Sequence, residues 1–525
     1  MKDIITIAEP IGREWTDELI CIPLPAPAAV HVVNAATGAP LPSQASATPP
    51  CVYARVSLRP GERLNLHVEP AAAPGRQSPF TIDHSPSAIA IANDRLAVEI
   101  PVSGPFDPGE APGPVLRLRR TADAAWLGQG VWGPSDFTGR VETTILDRGP
   151  LFARWLTRYI VGGEEWARYE CRLLAGEDFV WVRDATRLAA GRSFRFRLAG
   201  QDAPSEWFTL GGGEQASVAR GPMTAPPPRR GRERTDEFVH VDFHSGHFQM
   251  SYSWAGFLCG GTAVGVCELN GGHWQIPGRN RILAMCRGDG IELRFPADGG
   301  AKEFALTCGA PQDYAPAAGL SRFCHLRRKH SDVPLDKVRH WVTDWALAAP
   351  GRPILYPAGS AERWEAKLKA WPELAAAYRR LAAEKNLPAA AHLPLYLMTD
   401  DDGGQRLMDM IERCLDEAVA HVMDNGYQRL IIFDGRMLKV CLEAIDVLRW
   451  RGELDEAAAR SIARRVAFAA YCFADPNFWP WDSVMRHRDD PRSMGGDYWD
   501  DIGPNICPPN FTTEYHTSFA LAGLA

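Results

Sequence analysis

Residues 151–188, LFARWLTRYIVGGEEWARYECRLLAGEDFVWVRDATRL, decide the class of fold for the first part of the chain. Within this segment apolar residues recur at every second position or in short runs, and glycines interrupt the runs. Such a pattern is typical of strands that bury one face. The segment therefore predicts three successive strands, at residues 151–160, 166–173 and 179–188.

The same pattern extends to both sides of this segment. Phe194-Arg-Phe-Arg-Leu alternates strictly, with one apolar face and one arginine face, and Asn93-Asp94 predicts a tight hairpin between two apolar runs. Little helical periodicity separates the strands, so we expect a large antiparallel β-sandwich. Further strands are predicted at residues 238–243, 248–254, 262–269, 281–286, 291–295 and 303–308.

The period changes near residue 330. Beyond it, apolar residues recur at helical spacing, as in Val338, Trp341, Val342 and Trp345. Amphipathic helices joined by polar loops predict helix pairs, as in a bundle or an α/α toroid. The predicted helices cover residues 335–347, 361–371, 372–384, 405–425, 437–451 and 455–473. Residues 517–525 have the pattern of a helix interior, so we expect the helical region to continue past the last residue.

The chain of 525 residues exceeds the size that one hydrophobic core supports. We therefore predict a multidomain α+β protein with a β-sandwich region at 1–330 and a toroid-like helical domain at 331–525. The first region divides further into a small β-domain at 1–80 and a larger sandwich at 81–330. On this interpretation the catalytic residues belong to the helical domain, which the chain holds only in part.

Composition restricts the class of protein. A net charge of −7 gives no general attraction to nucleic acid or to anionic membranes, and no run approaches the length of a membrane span. The first residues lack the apolar core of a secretory signal, which predicts the cytoplasm, or the periplasm or outside if a signal was removed. The 12 cysteines include no CxxC pair, so we expect buried thiols and not a disulfide framework or a zinc ribbon.

Residues 477–516, NFWPWDSVMRHRDDPRSMGGDYWDDIGPNICPPNFTTEYH, form the strongest candidate site. Aromatic faces cover the apolar faces of sugar rings, while arginines and carboxylates bind hydroxyl and carboxylate groups. The segment contains three Arg, six Asp and one Glu, which give it a local charge of −4. The alternative to a site is that the Trp and Tyr rings of this segment pack the toroid while its charged residues form surface ion pairs. The predicted substrate-binding residues are Trp479, Trp481, Arg486, Asp497, Tyr498 and Trp499.

Two chemistries fit this segment. In β-elimination on a uronic acid, Asn510, His487 or Arg486 would neutralise the substrate carboxylate, and Tyr515 or His516 would transfer protons. In hydrolysis, two carboxylates among Asp497, Asp500, Asp501 and Glu514 would act as acid and base, about 5–9 Å apart. Thr512 or Thr513 would cap a helix whose first turn carries Glu514, Tyr515 and His516.

Four other segments have weaker patterns. His240, Asp242 and His244 share one face of a predicted strand and could hold zinc, although a solvated strand face explains them better. The basic loop at 226–234 and the loop with His273, Trp274 and Arg279 are connections between strands on the simpler interpretation. Asp400-Asp401-Asp402 resembles a calcium-loop fragment, but a turn and helix cap is the better explanation. We therefore expect no required cofactor, and no metal site is supported.

Short motifs resemble known carbohydrate-active families. AEPIGREWTDELICIPLP at 8–25, IANDRLAVEI at 91–100 and DRGPLFAR at 147–154 resemble the β-domains of exo-rhamnogalacturonan-lyase-like proteins. CPPNFTTEYH at 507–516 resembles the toroid of heparinase II/III-like proteins. The resemblance implies a β-sandwich plus an incomplete α/α toroid that acts on acidic polysaccharides. It assigns the catalytic tyrosine and histidine to Tyr515 and His516. The group that neutralises the substrate carboxylate is assigned to Asn510 or Glu514.

The sequence therefore predicts a carbohydrate-active enzyme, a polysaccharide lyase that cleaves a uronate-containing glycan by β-elimination. A glycoside hydrolase of the same architecture is the first alternative, and a non-catalytic glycan-binding protein is the second. The expected partner is an acidic poly- or oligosaccharide, with neither nucleic acid nor membrane.

Overall fold

The structure is a computed structural model that describes most of the chain up to Ala474. The described residues are 4–71, 78–134, 138–162, 165–188, 192–211, 217–223, 254–269, 282–287, 289–297, 302–314, 322–323, 325–342, 345, 360–385, 387–399, 404–423 and 432–474.

The first six strands form a small sandwich of two three-stranded sheets, ordered β1-β6-β3 and β2-β5-β4. All pairs are antiparallel, and alternate residues such as Ile20, Val32, Val52 and Leu66 are buried between the sheets. The strands are β1 (Ile5–Ala8), β2 (Trp15–Pro23), β3 (Val30–Asn34), β4 (Ser43–Ala47), β5 (Pro50–Leu58) and β6 (Arg63–Pro70).

A buried carboxylate organises the turn between β1 and β2. Glu9 is 4% exposed and accepts hydrogen bonds from the backbone N–H groups of Ile11, Gly12 and Gly61, at 2.7–3.0 Å. The indole N–H of Trp15 donates to the same carboxylate at 3.2 Å. Because these donors satisfy the charge, Glu9 has a structural role within the motif AEPIGREW.

The larger sandwich packs a ten-stranded antiparallel sheet, ordered β10-β13-β14-β15-β16-β24-β21-β20-β18-β19, against two four-stranded sheets, β11-β9-β8-β7 and β12-β17-β23-β22. This confirms the predicted large antiparallel sheets. The strands are β7 (Thr81–His84), β8 (Ala88–Ala92), β9 (Leu96–Pro101), β10 (Gly104–Phe106), β11 (Arg117–Arg120), β12 (Gln129–Gly133), β13 (Gly139–Arg148), β14 (Phe152–Gly162), β15 (Glu165–Leu174), β16 (Phe179–Arg187), β17 (Ser193–Ala199), β18 (Glu206–Gly211), β19 (Ser217–Pro222), β20 (Trp254–Cys259), β21 (Thr262–Leu269), β22 (Leu283–Arg287), β23 (Gly290–Pro296) and β24 (Lys302–Gly309).

Strands β14, β15 and β16 lie within residues 151–188, and they pair in succession as predicted. One face of these strands points into the sandwich, where Tyr159 and Tyr169 contact Trp132 edge-on at ring distances of 5.5 and 5.8 Å. The opposite face carries arginines such as Arg158 together with apolar residues such as Trp181, which is buried. The period-two pattern therefore predicted the strands and their two alternating faces.

Paired glycines on the outer face of the ten-stranded sheet admit aromatic rings. Gly256 and Gly265 lie opposite each other on β20 and β21. A Cβ atom on Gly256 would lie 1.9 Å from the ring of Phe208, and one on Gly265 would lie 2.6 Å from the ring of Phe323. Phe323 belongs to the linker after β24 and stacks on Trp254 at 4.5 Å. The missing side chains thus provide the space that seats the linker on the sheet.

Seven α-helices follow residue 334 within the described ranges. The predicted helices are present, with ends that differ from the predicted ones by at most five residues. We number the helices α1 (Leu335–Val342), α2 (Ser360–Lys369), α3 (Pro372–Ala383), α4 (Ala389–Thr399), α5 (Gln405–Met423), α6 (Ile432–Arg451) and α7 (Glu456–Ala474). Sequence reasoning missed α4, because Pro394 lies inside it and its apolar residues surround the helix instead of following one face.

The helices share one apolar core with the small sandwich. Ile20 and Leu66 of the small sandwich belong to the same cluster of buried residues as Val338, Ile411 and Val466 of the helices. Helix α1 packs against both β2 and α7, and α5 packs against α6 and α7. The architecture is therefore mixed α and β with large antiparallel sheets. A closed toroid and the proposed division of the chain into domains remain predictions.

Nine cysteines whose side chains the structure describes are free thiols, and all of these except the half-buried Cys21 are buried. This agrees with the predicted use of cysteine as a small apolar residue.

Candidate functional site

The predicted catalytic segment follows α7, whose last residue is Ala474. Residues 475–525 lie outside the described residues, so the structure does not place the predicted site residues. These are Trp479, Trp481, Arg486, His487, Asp497, Tyr498, Trp499, Asp500, Asp501, Asn510, Glu514, Tyr515 and His516. Their proposed roles therefore rest on the sequence.

The weaker candidates also fall outside the described ranges. This applies to the histidine strand at 240–244, the basic loop at 226–234, the loop at 270–279 and the aspartates at 400–402. Gly404, just after those aspartates, is described, and its carbonyl oxygen accepts a hydrogen bond from the N–H of Met408 at 2.9 Å at the start of α5. That contact belongs to the first turn of α5.

An aromatic cluster lies near the C-terminal end of α7. It includes Tyr471, which is six positions before the predicted segment. Trp341 of α1 stacks on Tyr471 of α7, with ring centroids 5.2 Å apart and planes 9° apart. Trp345 meets the same tyrosine edge-on at 6.2 Å, and the ammonium group of Lys337 lies 4.8 Å from the centre of the Trp341 ring. All three rings are half-buried. We call Lys337, Trp341, Trp345 and Tyr471 the α1–α7 aromatic cluster.

Two polar contacts hold α1 in this position. The carboxylate of Glu18 in β2 accepts a hydrogen bond from the N–H of Leu335 at 3.2 Å, which satisfies one of the free donors at the helix start. The guanidinium of Arg339 donates to the carbonyl oxygen of Cys21 at 3.4 Å. Burial raises the pKa of Glu18, with Arg328 and the Leu335 hydrogen bond opposing that shift. The small sandwich therefore sets the position of the helix that carries Trp341.

The α1–α7 aromatic cluster has the chemistry of the edge of a sugar-binding cleft. Part-exposed indole and phenol rings offer flat apolar faces, the Tyr471 hydroxyl can exchange hydrogen bonds, and Lys337 supplies a positive charge. Sequence reasoning assigned Trp341 and Trp345 to helix packing alone. The available signal was their spacing of four residues, which places both rings on one side of the helix.

A second polar cluster joins the two sandwiches through the linker. Arg322 forms ion pairs with Glu177, at 3.3 Å, and with Asp178. The hydroxyl of Tyr314 donates to the other carboxylate oxygen of Asp178 at 3.0 Å. Residues 177–178 precede β16 of the large sandwich, so these contacts anchor the linker to the turn before that strand.

His330 lies at the centre of this joint. Its Nε2 atom is 3.8 Å from the Glu177 carboxylate, and its ring lies 5.0 Å from the ring of Phe179. Burial lowers the pKa of His330 to about 4, although Glu177 opposes that shift. A neutral, enclosed histidine among fixed ion pairs has no visible route to a substrate. We therefore assign the joint a structural role.

Within the described ranges, no three His, Cys, Asp or Glu side chains are grouped so that they could hold a metal ion. Among the helices of the same ranges, none has both the length and the apolar character needed to span a membrane.

No family model matches the chain, and no curated protein is similar to it in sequence. Solved structures give remote matches. An α-mannosidase from Enterococcus faecalis V583 matches with 9% identity and a TM-score of 0.37, over 61% of this chain and 44% of that one. A glycosyl hydrolase family 38 protein from Enterococcus faecalis matches with 9% identity and a TM-score of 0.35, over 61% and 45%. YidC from Thermotoga maritima has a TM-score of 0.23 at 10% identity, over 72% and 100%.

The match thus spans less than half the length of the two Enterococcus faecalis structures. At these TM-scores the likeness does not establish a shared fold, and it carries no conclusion about activity.

Proposed function

We propose that the chain is part of a carbohydrate-active enzyme that cleaves a uronate-containing glycan. The observation that carries the proposal is the α1–α7 aromatic cluster, whose Tyr471 precedes residues 477–516 by six positions in the sequence. Half-buried rings and a lysine lie at the end of the helix from which a segment rich in Trp, Arg and carboxylates continues. Together they supply the ring-stacking and anion-binding groups that an acidic sugar requires.

In the first chemistry, β-elimination, the enzyme removes the proton at C5 of a uronate residue and expels the oxygen at C4. Asn510, His487 or Arg486 neutralises the carboxylate, which stabilises the developing enolate. Tyr515 or His516 removes the C5 proton, and the other can protonate the leaving oxygen. Glu514 is the alternative neutraliser in its protonated form. Trp479, Trp481, Tyr498 and Trp499 stack on sugar rings, and Asp497 binds hydroxyl groups.

Hydrolysis is the second candidate, because the segment contains seven carboxylates. Two of Asp497, Asp500, Asp501 and Glu514 would serve as acid and base, and their separation of about 5–9 Å would decide retention or inversion at the anomeric carbon.

One assay separates these possibilities. The protein is incubated with polygalacturonate, alginate, heparin and a neutral galactan, and ultraviolet absorbance and reducing ends are both followed. Elimination creates a conjugated double bond, so absorbance near the ultraviolet edge rises with the reducing ends. Reducing ends without absorbance identify a hydrolase. Binding without either product identifies a glycan-binding protein and refutes the proposed enzyme. The absence of both cleavage and binding would refute it as well.

Tyr515→Phe tests the assigned proton-transfer group. We expect kcat to fall by about 10²–10⁴-fold because the hydroxyl that moves the proton is lost. Tyr378→Phe in α3, outside the predicted site, is the matched control and should keep full activity. If Tyr515→Phe cleaves as fast as the control, Tyr515 has no catalytic role.

Trp341→Ala tests the α1–α7 aromatic cluster. Loss of one stacking surface should raise KM by about threefold to tenfold, consistent with about 0.5–1.5 kcal/mol for an aromatic contact, and change kcat much less. Trp371→Ala, which removes a ring that is 58% exposed, is the control. Equal KM values for both variants would exclude the cluster from substrate binding.

A further inference from the structure

A flat surface of arginine and apolar side chains covers part of the ten-stranded sheet. Ile160 of β14 lies directly opposite Trp166 of β15, and this pair is flanked across the sheet by Arg140 of β13 and Arg187 of β16. We call the outward-facing residues of this part of the sheet the arginine face. They are Arg140, Glu142, Leu156, Arg158, Ile160, Trp166, Arg168, Glu170, Arg183, Ala185, Arg187 and, from β24, Glu303.

The apolar pair at its centre is unusually accessible. Trp166 is 41% exposed and Ile160 is 42% exposed. Only two other large apolar side chains in the described ranges are exposed, Ile4 and Trp371, and they are far apart in sequence. Two exposed apolar residues that face each other on neighbouring strands form a pad about 5 Å wide. Isolated exposed residues are ordinary, whereas a paired pad with a charged surround indicates a binding surface.

Three of the arginines around this pad form long ion pairs within the protein. Arg158 reaches Glu142 at 3.9 Å, Arg168 reaches Glu170 at 3.8 Å and Arg183 reaches Glu303 at 3.7 Å. All three distances exceed that of a hydrogen bond. The three arginine side chains are 48–57% exposed, so their donors remain accessible to an external anion.

Two of these arginines oppose each other directly. Arg158 and Arg168 are cross-strand partners on β14 and β15. Like charges at directly opposite positions destabilise a sheet, and Glu142 and Glu170 compensate this pair at the long distances of 3.9 and 3.8 Å. The face as a whole carries five arginines and three glutamates, while the complete chain has a net charge of −7. Positive charge is thus concentrated on one surface of an acidic protein.

We infer that the arginine face is a binding surface for an acidic polysaccharide, separate from the predicted catalytic segment. A sugar ring stacks on Trp166 and Ile160, and the surrounding guanidinium groups bind carboxylate or sulfate groups of the same and neighbouring sugars. The choice of a glycan over another polyanion rests on the proposed function. The positive and apolar character of the face is independent of that function.

The shape of the surface favours the same ligand. Single-stranded nucleic acid is bound by grooves that offer several aromatic rings in succession, whereas the pad offers one aromatic ring and one aliphatic side chain. An acidic peptide would use the arginines without requiring an exposed indole. A polymer of acidic sugars uses both features, because each unit has an apolar face and an anionic group.

Binding is measured by isothermal titration at low salt with polygalacturonate, alginate and heparin, and with neutral galactan, polyglutamate and single-stranded DNA as comparators. The purified 525-residue chain is used, in wild-type form and as the Arg158→Gln/Arg168→Gln and Trp166→Ala variants. The matched controls are Arg117→Gln, whose arginine side chain on β11 is 48% exposed like that of Arg168, and Trp371→Ala.

We expect at least one acidic glycan to bind. The double arginine variant should weaken that binding by about tenfold. The effect should be smaller at 0.5 M salt, because screening lowers the affinity of the wild type and of the variant. Trp166→Ala should weaken it by about threefold to tenfold at any salt concentration. Neither control should change affinity more than twofold.

Three results would overturn the inference: no acidic glycan binds, the arginine and Trp166 variants bind as the controls do, or polyglutamate and DNA bind as tightly as every glycan. The outcome is independent of catalysis. A protein that binds through this face but cleaves nothing would refute only the proposed enzyme, and one that cleaves without using the face would refute only the binding surface.

Discussion

Gly265→Ala tests how the linker is seated on the ten-stranded sheet. An added Cβ atom would lie 2.5 Å from the Thr307 hydroxyl and 2.6 Å from the ring of Phe323. Ordinary contacts between such atoms are 3.5–4.0 Å, so the ring must move by about 1 Å. Phe323 is fully buried and stacked on Trp254, which leaves it no alternative position. Overpacking of this kind costs about 1–3 kcal/mol of unfolding free energy.

The measurement is urea unfolding of the wild-type and variant proteins, followed by tryptophan fluorescence. Gly261→Ala is the matched control, because a Cβ atom there meets nothing within 4 Å and the residue lies in the turn that leads into the same strand. The control should change the unfolding free energy by less than about 0.5 kcal/mol.

A double-mutant cycle identifies the cause. Phe323→Leu shortens the ring side chain that Cβ would strike, so adding Gly265→Ala to this variant should cost at least about 1 kcal/mol less than adding it to the wild type. The reasoning is refuted if Gly265→Ala is as stable as Gly261→Ala, or if its cost is the same with and without the Phe323 ring.

Three further predictions concern the joint between the two sandwiches. Arg322→Gln should lower the unfolding free energy by about 2–4 kcal/mol, because it leaves the Glu177 and Asp178 carboxylates without their cation; Arg140→Gln, at an arginine that is 64% exposed, should have little effect in the same urea titration. His330 has a pKa of about 4 in the folded protein and about 6.5 when unfolded, so protons favour the unfolded chain and stability should fall by about 3 kcal/mol as the pH falls from 6.5 to 4. Unfolding titrations of His330→Gln across that range should lack this decline, and an unchanged pH profile would contradict the assignment. Glu18 has a raised pKa, so its contribution has the opposite sign: it is fully present below the unfolded pKa and is lost as the pH rises through the folded pKa. Glu18→Gln should therefore gain stability relative to the wild type as the pH rises above the usual pKa of a glutamate, and a constant difference would show that the carboxyl group does not titrate there.

The candidate site was predictable only in part. Residues 477–516 carry a strong compositional signal, because aromatic and charged residues are crowded into one segment. The α1–α7 aromatic cluster carries a weak one, because the spacing of Trp341 and Trp345 is equally typical of helix packing. Its contact with Tyr471 joins residues more than a hundred positions apart, and no local pattern reports such a contact.

The arginine face shows the same limit. Alternation within residues 151–188 predicted strands that bury one face. Register determines which of their side chains are neighbours, and a shift of one residue would move every side chain to the other face. The observed register places Arg158 against Arg168 and Ile160 against Trp166, and only this pairing produces an apolar pad surrounded by charge.

The sequence by itself determined most of the helices and strands such as β14, β15, β16 and β21, because these follow from the spacing of apolar residues over a few positions. The tertiary structure alone decided that the small sandwich shares its core with the helices and that glycines on β20 and β21 receive the rings of Phe208 and Phe323. It also decided which charges meet at the joint and on the arginine face. These features depend on contacts between distant segments, whose free energy is gained only when the complete sheets and helices pack together.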